Sequence, residues 1–348
     1  MLRVDIRKRL GTFLLESQFS AENEALALLG ASGCGKSVTL KCIAGILRPD
    51  EGHIELDKQV LFDSAAKIDL PPQRRNVGYL FQQYALFPNM TVAQNIAAAA
   101  KDKTRRKAVV AKKLRQFHLE DVATKRPAAL SGGQQQRTAL ARILTSQPRA
   151  ILLDEPFSAL DSYLKYQLEL ELSETLSAFP GTVLWVTHDR GEAWRNCRRV
   201  CVMDSGRAQP VQTLEALFRA PGTESAARLS GCKNFMAVNS RGESVFLPEW
   251  GLTLACRRVV PPETAVAGIR SHHVHFAAQN EENTFSCGVA KVIDDVFGSI
   301  ILLRPVNAAQ DAPLLRMELD KAAWAAHDEE ETVTVAVRPE DILLLQNS

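Results

Sequence analysis

No two cysteines of this 348-residue sequence stand in a CxxC arrangement, and the seven present, at positions 34, 42, 197, 201, 232, 256 and 287, are odd in number. That usage speaks against a disulfide framework or a zinc site and suits reduced thiols in a cytoplasmic setting. A strong excess of one charge is also missing. With 42 basic and 40 acidic residues the formal net charge is +2, which argues against a protein built to grip nucleic acid. No apolar run is long enough to span a bilayer, so any membrane role is expected to work through a partner. The first residues, Met1-Leu2-Arg3-Val4-Asp5-Ile6-Arg7-Lys8-Arg9, alternate charged with apolar and lack the apolar stretch of a signal peptide. What is present is 46% hydrophobic residues and enough length for two domains with a substantial core.

The most informative stretch is Gly30-Ala31-Ser32-Gly33-Cys34-Gly35-Lys36-Ser37. It follows the apolar run Ala25-Leu26-Ala27-Leu28-Leu29, which reads as a buried strand, and precedes a helical pattern beginning at Val38. Strand, glycine loop and helix are the context of a phosphate-binding loop. Glycines let backbone N–H groups converge on phosphate oxygens, and the helix N-terminus points its positive end at the same anion. Lys36 adds a mobile positive charge, and the Ser37 hydroxyl is suited to Mg²⁺. The alternative is a glycine turn that happens to carry Lys-Ser. Cys34 sits inside the loop, where its oxidation would obstruct a nucleotide.

Further along, Val77-Gly78-Tyr79-Leu80-Phe81-Gln82 reads as an apolar strand ending in glutamine. The loop after it, Tyr84-Ala85-Leu86-Phe87-Pro88-Asn89-Met90, carries large apolar residues that either pack inward or form a docking patch. Residues 92–125 are predicted helical, and the basic run 101–113 is read as a solvated helix face. Leu130-Ser131-Gly132-Gly133-Gln134 stands at the start of a second clear helix, a position able to hold an anion; alone it would suggest only a cap and a turn. Ala150-Ile151-Leu152-Leu153-Asp154-Glu155 is a buried strand ending in two carboxylates expected to face opposite ways. Ser158-Ala159-Leu160-Asp161 follows as a turn, and the buried strand 183–187 ends at His188.

In this order the motifs resemble those of an ATP-binding cassette (ABC) ATPase over about residues 1–230. The resemblance implies an α/β P-loop NTPase cassette: a RecA-like core, a β flap and a helical subdomain at about 83–148. It further implies a head-to-tail homodimer, each ATP lying between the phosphate loop of one copy and Ser131, Gly132, Gly133 and Gln134 of the other. Gly30, Ala31, Ser32, Gly33, Cys34, Gly35, Lys36, Ser37 and Val38 would bind nucleotide; Ser37, Gln82 and Asp154 would serve Mg²⁺. Glu155 would be the general base, His188 and Lys36 would contact the phosphates, Gln82 would also sense a membrane partner, and Asp161 would let the two cassettes sense each other. Most members stack an aromatic on adenine just before an early glycine; here Leu10 precedes Gly11, and Phe13 is the nearest aromatic.

Beyond about 231 the pattern changes to short β segments, which predicts a small barrel or sandwich. It resembles the all-β, oligomer-binding-type (TOBE/MOP) regulatory domain of importer ATPases, assigned to 231–348. A weak echo between residues 267–274 and 336–342 suggests two related β units. The histidines 272, 273 and 275 supply too few ligands on one face for a metal and are read as a turn or a strand end. The segment 60–79 most resembles molybdate importers, with tungstate or sulfate as related cargo; importers of sugar, iron or polyamine are the alternative. The resemblance implies a multispanning permease and an extracytoplasmic solute-binding protein as partners, and a peripheral place on the cytoplasmic membrane face. Two other classes compete with this reading: a non-transport cassette ATPase acting on nucleic acid, and an oxyanion-binding module.

Overall fold

A computed structural model describes residues 1–157, 162–327 and 330–347. The chain divides into two compact units, Met1–Leu214 and Glu215–Ser348.

The first unit opens with an antiparallel pair, β1 (Leu2–Leu10) and β2 (Phe13–Ala21). In β1 buried and exposed residues alternate, as expected for a sheet with one face on a core. Then come β3 (Ala25–Leu29), α1 (Lys36–Ala44), β4 (Glu51–Leu56), β5 (Gln59–Asp63), β6 (Ile68–Asp69) and β7 (Val77–Leu80). The helical segment holds α2 (Val92–Ala98), α3 (Arg106–Gln116) and α4 (Gly132–Thr145). The core resumes with β8 (Ala150–Asp154), α5 (Ser162–Ser177), β9 (Thr182–Thr187), α6 (Arg190–Asn196), β10 (Arg199–Asp204), β11 (Arg207–Ala208) and β12 (Gln212–Thr213).

One twelve-stranded sheet joins these strands in the order β6-β5-β4-β1-β2-β11-β10-β3-β9-β8-β7, with β12 on β10. From β10 to β7 the pairs are parallel. β8 and β9 are buried along their whole length, the pattern of strands covered on both faces. The expected α/β cassette with its β flap is therefore the observed fold.

The single helix expected across 92–125 is two, ending at Gln116, with only a 3-10 turn over Glu120–Val122 beyond. Asp102 Oδ1 accepts from the backbone N–H of Thr104 at 2.8 Å and from its hydroxyl at 2.6 Å. Such a local side-chain turn competes with helix continuation, and α3 starts only afterwards. Arg75, with its side chain fully buried, closes the C-terminal end of α1. It donates to the carbonyls of Cys42 and Ile43 at 2.8 and 3.0 Å and to Asp69 at 2.8 Å. A side chain at position 45 would collide with that guanidinium, which leaves room only for Gly45 at φ +77°.

The second unit contains α7 (Leu214–Arg219, beginning at the boundary), α8 (Glu224–Leu229), β13 (Asn234–Ala237), β14 (Asn239–Arg241), β15 (Ser244–Leu247), β16 (Leu252–Ala255), β17 (Val266–Ile269), β18 (Val274–Phe276), β19 (Thr284–Asp294), β20 (Gly298–Pro305), β21 (Leu315–Asp320), α9 (Lys321–Ala325), β22 (Thr332–Val337) and β23 (Ile342–Leu345). The strands form antiparallel sheets in the orders β13-β17-β23, β14-β15-β16 and β18-β22-β19-β20-β21. This is the β-rich, OB-like domain that the sequence led us to expect.

The unit begins before residue 231, and α8 is tied to the residue that follows its last strand. Glu224 N–H donates to the Gln346 carbonyl at 3.1 Å. Buried Arg270 donates to the carbonyls of Phe218 and Ser230 at 2.6 and 2.8 Å.

The sequence echo has a structural counterpart. β17, a 3-10 turn over Ser271–His273 and β18 repeat as β22, a 3-10 turn over Pro339–Asp341 and β23. The copies interlock: β17 pairs with β23 and β18 with β22.

Candidate functional site

Parallel strands bring their carboxyl ends to one edge of the sheet, where ligands of such folds bind. Leu29 of β3 lies level with Thr187 of β9, and Val186 of β9 with Asp154 of β8. The glycine loop follows β3, Glu155 follows β8, His188 follows β9 and Gln82 stands two residues beyond β7. Residues far apart in sequence thus reach one rim because their strands are neighbours.

In the loop, Gly33 and Gly35 have φ +83° and +108°, backbone open to glycine. A side chain at 35 would also strike Leu15 and Phe13. Lys36, 4% exposed, donates to the carbonyls of Gly30 and Ala31 at 2.7 and 2.8 Å. Its ammonium is folded onto the loop, held by weak acceptors that a phosphate would replace. Burial pushes the Cys34 thiol up, against the pull of Lys36. A thiol held protonated by burial is a poor nucleophile.

Ser37 donates to Asp154 Oδ1 at 2.7 Å, and the Tyr79 phenol donates to Oδ2 at 2.7 Å. Burial foremost, and then the Asp154 charge, raise the phenol well above its usual range, so it remains a donor. A hydroxyl beside a carboxylate oxygen is a hard-oxygen donor set that fits Mg²⁺.

Glu155 is not a strand residue. Its φ of +47° lies in the left-handed region, which costs a non-glycine residue energy and is common at functional sites. The two acids are therefore separated by a turn of the chain, not by strand pleating. Glu155 Oε2 lies 3.4 Å from His188 Nδ1, and Oε1 lies 4.0 Å from Lys36 Nζ. The imidazole is about half exposed and the carboxylate largely covered. Gln136 of α4 braces the turn, donating to the Pro156 carbonyl at 3.4 Å. Asp189 caps α6 through the N–H groups of Gly191 and Glu192 and holds Lys165 at 2.6 Å.

Ser131 and Gln134 form a reciprocal capping box at the start of α4, with bonds of 3.3 and 3.0 Å. The structure of one chain gathers Lys36, Ser37, Asp154, Glu155 and His188 at the strand ends, and Ser131 to Gln134 separately at this helix start. Asp161 lies outside the described residues. Phe13 is half-buried against the glycine loop, whereas Leu10 is 41% exposed.

The apolar loop after Gln82 is mixed. Tyr84 is buried, while Phe87 and Met90 are 46% and 37% exposed. Fully buried Asn95 anchors it, donating to the carbonyls of Phe87, Met90 and Thr91, each at 3.1 Å. Arg142 of α4 donates to the Ala85 carbonyl at 2.8 Å and covers the Phe87 ring. Tyr79, Asn95, Gln136 and Arg142 escaped the sequence reading. For Asn95, the signal was a polar residue on the buried face of a capped helix.

Strand, glycine loop, helix and strand-end acids together define a P-loop nucleotide-binding cassette. Residues 18–158 match the family model described as ABC transporter. The chain is 38% identical over 224 residues to a molybdenum import ATP-binding protein of Paramagnetospirillum magneticum. That match covers 64% of this chain and 62% of the relative, so the chain spans about three fifths of that protein. It is 35% identical over 307 residues, 83% of each chain, to a spermidine/putrescine import ATP-binding protein of Pseudomonas aeruginosa. A solved dimeric ATP-binding cassette, MJ0796 in a post-hydrolysis state with ADP and Pi, aligns with a TM-score of 0.52 and 29% identity. It covers 62% of this chain and 99% of its own. The chain belongs to the ABC transporter ATPase family. Among the described residues no helix is long and apolar enough to cross a membrane.

Proposed function

We propose that this chain is the ATP-hydrolysing subunit of an importer, working as a head-to-tail pair on a multispanning permease at the cytoplasmic membrane face. The observation that carries this is the gathering of Lys36, Ser37, Asp154, Glu155 and His188 on one sheet edge. Residues 30–38 bind the nucleotide phosphates through backbone N–H groups and Lys36. Mg²⁺, when bound with ATP, neutralises phosphate charge, and Ser37, Asp154 and Gln82 are the residues that would hold it. Glu155 accepts the proton of the attacking water. His188, within 3.4 Å of Glu155, orients that carboxylate and the terminal phosphate. Ser131 to Gln134 of a second copy close the site, with Asp161 in the loop between the copies. The exposed Phe87 and Met90 are the permease-facing patch.

The unit Met1–Leu214 acts as the nucleotide-binding domain and the unit Glu215–Ser348 as a regulatory β domain. The cargo is an oxyanion of the molybdate class, delivered by a solute-binding protein. Support is the 38% identity to a molybdenum import protein. A polyamine cargo is the second reading, favoured by the polyamine-import match that extends over 83% of the chain. Uptake of radiolabelled molybdate and of spermidine by cells lacking only this chain decides between them; loss of spermidine uptake alone removes the oxyanion. Feedback by the β domain predicts that millimolar molybdate slows ATP hydrolysis by the assembled transporter. Unchanged hydrolysis ends that idea.

A further inference from the structure

Asp154 ends β8 with both carboxylate oxygens engaged. Ser37 approaches Oδ1 from the first turn of α1, and Tyr79 approaches Oδ2 from β7, where it lies in register with Leu152 of β8. Both bonds are 2.7 Å long. Asp154 and Tyr79 are 7% and 9% exposed, so water does not readily replace the phenol. A hydrogen bond to an ionised acceptor is roughly twice as strong as a neutral one. The Tyr79 ring is itself steadied by Phe81, with centroids 4.1 Å apart.

We propose that Tyr79 is a positioning residue that holds Asp154 in a one-oxygen mode and so selects the divalent cation that accompanies the nucleotide. This rests on the assignment of Ser37 and Asp154 to Mg²⁺ above. A cation that takes only Oδ1, beside Ser37, leaves the phenol bond to Oδ2 intact, whereas one that chelates both oxygens must displace or share it. Mg²⁺ tolerates that arrangement because it keeps waters in a strict octahedron. Ca²⁺ takes six to eight oxygens and readily uses both oxygens of a carboxylate. A carboxylate pinned through one oxygen therefore penalises Ca²⁺ more than Mg²⁺.

Tyr79→Phe removes one hydroxyl and keeps the ring. Binding of the fluorescent analogue N-methylanthraniloyl-ATP to the purified full chain is titrated with Mg²⁺, with Ca²⁺ and in chelator, without reading turnover. Loss of a residue that orients a metal ligand typically costs 10–100-fold in metal affinity. The half-saturating Mg²⁺ concentration is expected to rise about tenfold in the variant, with Ca²⁺ moving less than about twofold and chelator binding unchanged. An unchanged preference for Mg²⁺ over Ca²⁺, or an equal loss in all three conditions, overturns the proposal. Asp154→Asn separates the two levels. If it leaves the cation dependence intact, the Mg²⁺ assignment fails and takes this proposal with it. If it abolishes that dependence while Tyr79→Phe changes nothing, only the role of Tyr79 fails.

Discussion

In Met1–Leu214 the chemically active groups stand at the carboxyl ends of parallel strands, whereas in Glu215–Ser348 the paired His273 and Asp341 stand in 3-10 turns between strands. A parallel sheet puts every strand end on one edge, so unrelated segments can meet there; Lys36, Glu155 and His188 do. Antiparallel strands send alternate ends to opposite edges, and their turn residues scatter. In the second unit the duplicated element offsets this. His273 and Asp341 occupy the same place in the two copies, three residues after Arg270 and Arg338, and lie 3.1 Å apart. One unit gathers groups by sheet direction, the other by repetition.

The comparison breaks first on chemistry. Glu155→Gln is expected to slow ATP hydrolysis by about 10²–10⁴-fold, read as phosphate release, and to leave ATP-stabilised dimers on gel filtration. His273→Gln in the other unit should leave turnover unchanged. Undiminished hydrolysis by Glu155→Gln would remove the carboxylate as base.

Next comes the independence of the two cores. Among the described residues each unit fully buries one arginine against backbone carbonyls, Arg75 in the first and Arg270 in the second. Arg75→Met strips the carbonyls of Leu70, Cys42 and Ile43 of their donor, and a buried acceptor left without a partner costs about 1–3 kcal/mol. In calorimetry it should lower only the transition of the first unit, and Arg270→Met only that of the second. If either variant moves both transitions together, the units are one cooperative body.

A smaller effect sharpens the account of the first unit. Ser131→Ala removes the cap of α4 and should cost about 1 kcal/mol by chemical denaturation, with a larger fractional loss of turnover if the same hydroxyl meets a partner's nucleotide. Equal fractional effects would leave it a cap alone.

The smallest is a pH effect in the second unit. Burial holds His273 below its ordinary value of 6.5, against the opposing pull of Asp341. The neighbouring His272, Arg270 and Arg338 act in the same direction as burial. The unfolded chain then takes up the proton first, so stability of this unit falls as pH drops below about 6.5 and levels off beneath the folded value. Melting curves across that range should flatten in His273→Gln; a wild-type curve already flat would contradict the effect.

Much of the site could be read locally. The glycine loop, the capping box and the acid pair are short patterns whose chemistry needs few residues. Residues 92–125 read as one helix from the sequence because hydrophobic spacing does not register the turn by which Asp102 intercepts the backbone. Glu155 was placed on a strand because its apolar run continues up to it, while its positive φ depends on the braces around it.

The sequence by itself determined that a phosphate-binding loop follows a buried strand, that acids end another, and that a β-rich segment with an internal echo comes after. Only the tertiary structure decided which oxygen of Asp154 meets which donor. Ser37 is 117 residues away and Tyr79 is 75. Their meeting depends on strand order and register across the sheet, and those arise from packing of the whole core, which no local pattern of residues encodes.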